Sequence, residues 1–161
     1  LNKSKGYDIF GKAVINILNK FPDWKAIAIG DEPREKIIFN HTRLKTLGFK
    51  NNNIVTNWFK KSDISVVCSR IDEPFGRTAL EASSAGCAVI ISNKGGLPEA
   101  SSSAIKIKNL SIRNLQKKIE KVINNEKYKK DLQKKIYKNF KLTNELAAKK
   151  IDEYRIKIIK T

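Results

Sequence analysis

Phe10, Val14, Ile17 and Leu18 recur at helical spacing and stop before Phe21-Pro22, so residues 6–20 read as an amphipathic helix. The apolar run at 24–29 is halted by Gly30-Asp31-Glu32-Pro33, the pattern of a buried strand followed by a turn. A second helix is expected over roughly 33–47, closed by a left-handed cap at Gly48, and a brief strand at 53–56. Residues 64–68 form a third apolar run, left through a polar loop that contains Pro74 and Gly76. Beyond it the pattern predicts a helix at 76–86, a strand at 88–91, a turn at 93–98 and a short strand at 104–107. Three helical stretches close the chain, near 111–124, 127–140 and 143–159.

Short apolar strands alternating with helices imply an α/β fold, a mainly parallel sheet covered on both faces, with ligands at the carboxyl ends of the strands. No internal repeat or linker divides the 161 residues, a length that suits one domain. No run approaches the ~18 apolar residues that a spanning helix needs, and residues 1–6 lack a signal peptide's apolar stretch, so a soluble, cytoplasmic chain is expected. Leu1 as first residue, in a chain without methionine, is expected to mark a fragment or a processed product. Cys68 and Cys87 sit among apolar neighbours, which favours buried reduced thiols over a disulfide or a zinc site.

The formal charge of +17, from 33 basic and 16 acidic residues, points toward polyanions. Lysine supplies nearly all of the excess, against a background rich in asparagine and isoleucine, which compositional bias alone can produce. Lys117-Lys118, Lys129-Lys130, Lys134-Lys135 and Lys149-Lys150 fall at helical spacing. A solvated helix face is the plainer reading of them, and contact with an anionic membrane or an acidic acceptor the sharper one. Aromatic residues are sparse among the basic patches, which argues against nucleic acid as a partner.

The richest stretch is Ser69-Arg-Ile-Asp-Glu73-Pro-Phe-Gly76-Arg-Thr-Ala-Leu-Glu81-Ala-Ser-Ser-Ala-Gly86. A strand runs into a loop bearing an acid, a glycine permits a tight turn, and a helix begins with unpaired amides at the positive end of its dipole. That arrangement suits a diphosphate. With the helix starting near Gly76, Glu81 lies about 7 Å along its axis at ~1.5 Å per residue, while Glu73 stays outside. Two carboxylates so placed could each grip vicinal hydroxyls, one on a sugar and one on a ribose, either side of the diphosphate.

These residues resemble a known family. The glutamates eight positions apart, with Pro-Phe-Gly between them and Ala-Gly after, are similar to the E-x7-E signature of the retaining glycosyltransferases of group 1, which include glycogen synthase and bacterial mannosyl- and glucosyltransferases. Lys5-Gly6 resembles the family's phosphate-binding Lys-Gly, Ile29-Gly30-Asp31 its Gly-Asp strand end, and Gly95-Gly-Leu-Pro-Glu99 its Gly-Gly-Ile-Pro-Glu loop. The segments occur in the family's order along nearly the whole chain. The resemblance implies one Rossmann-like lobe of a GT-B fold over 1–161, the donor-binding C-terminal half, with its acceptor-binding N-terminal lobe absent and the fragment weakly active or inactive.

It further implies that Glu73 contacts the transferred sugar, Glu81 the ribose, and Lys5 the diphosphate of a UDP- or GDP-linked sugar. Phe75, Gly76, Arg77 and Thr78 would face the sugar and distal phosphate, and Gly30 and Asp31 the nucleoside. Gly95 and Gly96 are divided between plain turn geometry and backbone contact with the donor, and Arg77 between phosphate and solvent. No metal and no cofactor beyond the donor is implied, and cell-surface polysaccharide or glycolipid synthesis is the implied setting. The family's phosphate arginine would fall just upstream of Leu1. His41, placed on the expected helix at 33–47, reads as solvent-exposed. The competing readings are a noncatalytic scaffold and a basic nucleic-acid-binding module.

Overall fold

The computed structural model describes residues 1–140 and 143–159, the side chain of Asn144 excepted. The first helix, α1 (Tyr7–Lys20), buries Tyr7, Ile9, Ala13, Val14, Ile17 and Leu18, the face that the apolar spacing predicts. β1 (Ala26–Ala28) pairs in parallel with β2 (Leu44–Thr46), Ala26 opposite Leu44. α2 (Asn52–Lys60) leads to β3 (Ile64–Val67), α3 (Arg77–Ser84), β4 (Ala88–Ser92), α4 (Leu97–Ala100) and β5 (Ile105–Ile107). β3, β4 and β5 form a second parallel sheet in that order, with every residue of β4 buried at its centre. Helices α5 (Ile112–Ile123), α6 (Glu126–Lys138) and α7 (Asn144–Ile159) follow.

α1 packs along α5, and α5 against β4 and β5, while α3 packs on β3 and β4 and touches α2, α4 and α6. Parallel sheets flanked by helices are the architecture that the strand–helix alternation implies. Lys129 departs from the solvated face expected for the lysine pairs: only 7% exposed, it fastens α6 to the start of β3, its ammonium 3.3 Å from Asp63 and 2.9 Å from Glu126, and over the Trp24 ring. Burial pulls the Lys129 pKa down, but Glu126 and Asp63 outweigh it and the pKa is raised.

Two elements differ from the sequence reading. In place of a helix over 33–47 there are turns and extended chain ending in β2. The apolar residues that suggested a helix serve elsewhere: Phe39 packs edge-on to Tyr7, with ring centroids 5.4 Å apart, and covers Gly11, while Ile38 is 75% exposed. Pairing with β1 then claims Leu44–Thr46, a tertiary gain that overrides the local period. His41 accordingly lies in this irregular segment, its Nε2 3.2 Å from Asn19 Oδ1 and its Nδ1 accepting the Arg43 amide at 3.1 Å. Arg43 donates to the carbonyls of Leu18, Phe21, Pro22 and Trp24, closing the end of α1.

The second difference is at 53–56, which belongs to α2 rather than to a strand. Ile54, Val55, Trp58 and Phe59 share one helical face, and Asn51 caps the helix by accepting the Ile54 amide at 3.1 Å. The β-branched Ile-Val-Thr run conceals that period. Both cysteines are free and buried, as expected, and burial pushes the Cys68 thiol up to about 12 and the Cys87 thiol to about 11. Among the described residues no helix is long and apolar enough to cross a membrane.

Candidate functional site

A cleft of about 1030 Å³ runs past the carboxyl ends of β1 and β3. Its lining includes Lys5, Gly30, Asp31, Glu73, Phe75, Gly76, Arg77, Thr78 and Glu81, so residues separated by nearly half of the chain meet in one place. Gly95 and Gly96 are not part of that lining.

Of the helices that start at the cleft, α1 and α3 begin alike. α1 starts after Gly6 (φ 69°) and α3 after Gly76 (φ 82°), both in the left-handed region, and neither receives a side-chain cap. By contrast α2, α5 and α6 are capped by Asn51, Ser111 and Asn125. An amide end without a capping side chain can accept an anion from outside the chain. Gly6 also fits where no side chain can, since a Cβ there would lie 1.9 Å from the carbonyl oxygen of Cys68.

Lys5 and Glu73 face each other across the mouth, Nζ to Oε1 at 2.7 Å, the lysine half exposed and the glutamate 15% exposed. Glu81 lies one turn into α3 and is 28% exposed, with the Arg77 guanidinium 3.7 Å away; Arg77 itself is 79% exposed. Phe75, part of the cleft lining, is 46% exposed. Asp31 follows Gly30 at the end of β1 and accepts the Glu32 amide at 2.8 Å.

The glycine pair at 95–96 braces the loop that carries Glu73. Gly95 donates its amide to Asp72 Oδ1 at 3.0 Å and Gly96 to the Glu73 carbonyl at 2.7 Å. A Cβ at Gly96 would come within 2.8 Å of Phe75 Cα and Pro74 O, so the backbones touch directly. Both amides are thus engaged within the chain, and the geometry is that of a clamp.

Sequence reasoning missed several residues at the site. Tyr7, Phe49, Asn51, Val55 and Trp58 also line the cleft. The aromatic residues gave a signal, but α2 had to be seen as a helix for Val55 and Trp58 to share a face. Asp72 carries the brace for Gly95, and nothing local in the sequence separates it from an ordinary loop acid.

An α/β domain with parallel strands, two glycine-opened helix ends and two carboxylates around one cleft defines a class of nucleotide-ligand-binding lobes. The sequence model described as Glycosyl transferases group 1 matches residues 1–139. The chain belongs to that family. It is 41% identical over 66 residues to an uncharacterized glycosyltransferase of Methanocaldococcus jannaschii, covering 41% of this chain and 15% of the relative. The C-terminal domain of a glycosyl transferase group 1 family protein, LpcC of Francisella tularensis, superposes with TM-score 0.74 at 27% identity, over 89% of this chain and 83% of that one. HepE of Anabaena, solved in complex with UDP and glucose, shares the fold at TM-score 0.70 and 20% identity, over 95% of this chain and 46% of that one. The chain therefore spans a small part of the archaeal relative and less than half of HepE.

Proposed function

We propose that this domain holds the donor of a retaining glycosyltransferase, a nucleoside-diphosphate sugar, and supplies the positive field that lets the nucleoside diphosphate depart. The observation that carries the reading is the meeting of Lys5, the amide ends of α1 and α3, Glu73 and Glu81 around one cleft. Charge builds on the phosphate oxygen as its bond to the anomeric carbon breaks, and an ammonium and oriented amides already in place stabilise it without reorganising. Glu73 receives hydroxyls of the sugar, and Glu81 the vicinal hydroxyls of the ribose.

Lys5 pairs with Glu73 at the cleft mouth. A half-exposed pair of this kind is worth only about 0–1 kcal/mol, so the lysine can exchange Glu73 for a diphosphate at little cost and free the carboxylate for the sugar. Supporting the reading, HepE is described in complex with UDP and glucose on the same fold. Transfer with retention of configuration is the reaction that this donor site serves.

Titration of the protein with UDP and GDP, followed by amide chemical shifts, tests the reading. Saturable shifts at Gly6 and at residues 76–78 are expected with one nucleotide, and Glu81→Ala should weaken binding at least tenfold, about 1.4 kcal/mol. No response to either nucleotide, together with oligonucleotide binding that falls steeply with salt, would establish the basic-module alternative instead.

A further inference from the structure

We propose that Arg70 is a positioning residue for the phosphate lysine: through Asp8 and the carbonyl of Lys3 it holds the turn from which Lys5 reaches the cleft. The inference rests on the nucleotide-sugar reading above.

The turn has few supports of its own. Asn2 Oδ1 accepts the Lys5 amide at 2.9 Å, and the Lys3 carbonyl accepts the Gly6 amide at 2.9 Å. From outside the turn, Glu35 accepts the Lys3 amide at 3.1 Å and Glu32 the Asn2 side-chain amide at 3.3 Å, and the segment after β3 holds the part nearest Lys5. The Arg70 amide donates to the Ser4 carbonyl at 2.8 Å, and the Cys68 thiol to the Gly6 carbonyl at 3.4 Å. The Arg70 guanidinium then forks onto both oxygens of Asp8, at 2.5 and 2.6 Å, while also donating to the Lys3 carbonyl. A planar fork spanning a carboxylate and a carbonyl fixes direction as well as distance, which a lysine's point charge does not.

Arg70 and Asp8 are absent from the cleft lining, whereas their neighbours Ser69, Lys5 and Glu73 are part of it. Arg70 therefore acts on the donor through the residues it holds and not by contact. Asp8 stands in the first turn of α1, where an unneutralised carboxylate would oppose the arriving phosphates. The hydrogen bonds from Arg70 hold the Asp8 carboxyl below the ordinary carboxylate range, so the pair is intact at neutral pH. The segment 68–70 also leads directly to Glu73, so one arginine ties both partners of the Lys5–Glu73 pair to a common frame.

The test is a cycle of Arg70→Ala, Lys5→Ala and the double variant, with UDP affinity measured by calorimetry and amide hydrogen exchange followed at residues 5–7. Arg70→Ala is expected to weaken UDP binding about tenfold, and to add less than about twofold once Lys5 is already alanine, because contacts acting through one another are not additive. Arg70→Lys should fall between wild type and alanine. Exchange at Lys5, Gly6 and Tyr7 should quicken by about tenfold or more in Arg70→Ala with β4 unchanged. Unchanged exchange at the turn, unchanged affinity, or an equal loss in both backgrounds would overturn the inference. Should Arg70→Ala fail to fold, Asp8→Asn and Arg70→Lys carry the same comparisons. A wild type that binds neither UDP nor GDP defeats the functional reading, and the exchange result alone then decides the positioning role.

Discussion

At the scale of single residues, the site depends on backbone contacts that tolerate no extra atom. Gly96 has an ordinary helical φ of −76°, so its conformation alone does not demand glycine. What demands it is the 2.8 Å approach of Phe75 Cα and Pro74 O to the place where a Cβ would go. Gly96→Ala should therefore push the Glu73–Phe75 segment away, at an overpacking cost of roughly 1–3 kcal/mol. Because that segment carries Glu73 into the cleft, UDP affinity should fall more than the melting temperature alone would suggest. Calorimetric titration beside a thermal melt checks this, and a variant that melts lower yet binds normally would show that the brace serves stability only.

Elements show why part of this fold was legible in the sequence and part was not. α1, α3 and β4 are read correctly because one period dominates each: the stripe of Phe10, Val14, Ile17 and Leu18, the glycine opening before Arg77, and the unbroken apolar run of β4, buried at every position. The segment 33–47 fails because Phe39 packs against α1 and Leu44 pairs with β1, contacts that no local window contains. α2 fails for a different reason, since Asn51 as cap and the Ile54–Phe59 face were both visible but β-branched residues outweighed them. The candidate site was legible as a set of residues through motif order, whereas the brace by Gly95 and Gly96 and the tie through Arg70 required the loops to be seen together. The cap on α2 also makes a prediction. Asn51→Ala leaves the Ile54 amide without its acceptor and should cost about 1 kcal/mol. In a domain of this size that lowers the melting temperature by about 2–4 °C. Asn51→Asp, which keeps the acceptor, should recover it, and a thermal melt of the two variants reads the difference.

Over the whole molecule, burial and charge are distributed unequally. The core runs from α1 through β4 to α5 and α6, with Val89, Ile90, Ile91, Leu97, Leu115 and Val122 fully enclosed. α7 lies outside it. Every one of its described side chains is exposed, among them Ile151 at 58%, Tyr154 at 65% and Ile158 at 75%. A helix that buries none of its described side chains adds little hydrophobic stabilisation, because that gain scales with apolar area removed from water. It also stands apart from the cleft, whose lining ends at Leu97. Removing residues 144–161 should therefore leave the melting temperature of the remainder within about 2 °C, since changes at exposed positions seldom exceed ~0.5 kcal/mol. UDP affinity should be unchanged within about twofold, provided salt is held constant, because the deletion also removes lysines from a chain of formal charge +17. A melting temperature lowered by 5 °C or more on the scale of ~2–4 °C per kcal/mol would mean that α7 packs against the lobe in solution. An affinity loss that disappears at high salt would instead assign α7 an electrostatic part in drawing the anionic nucleotide to the cleft.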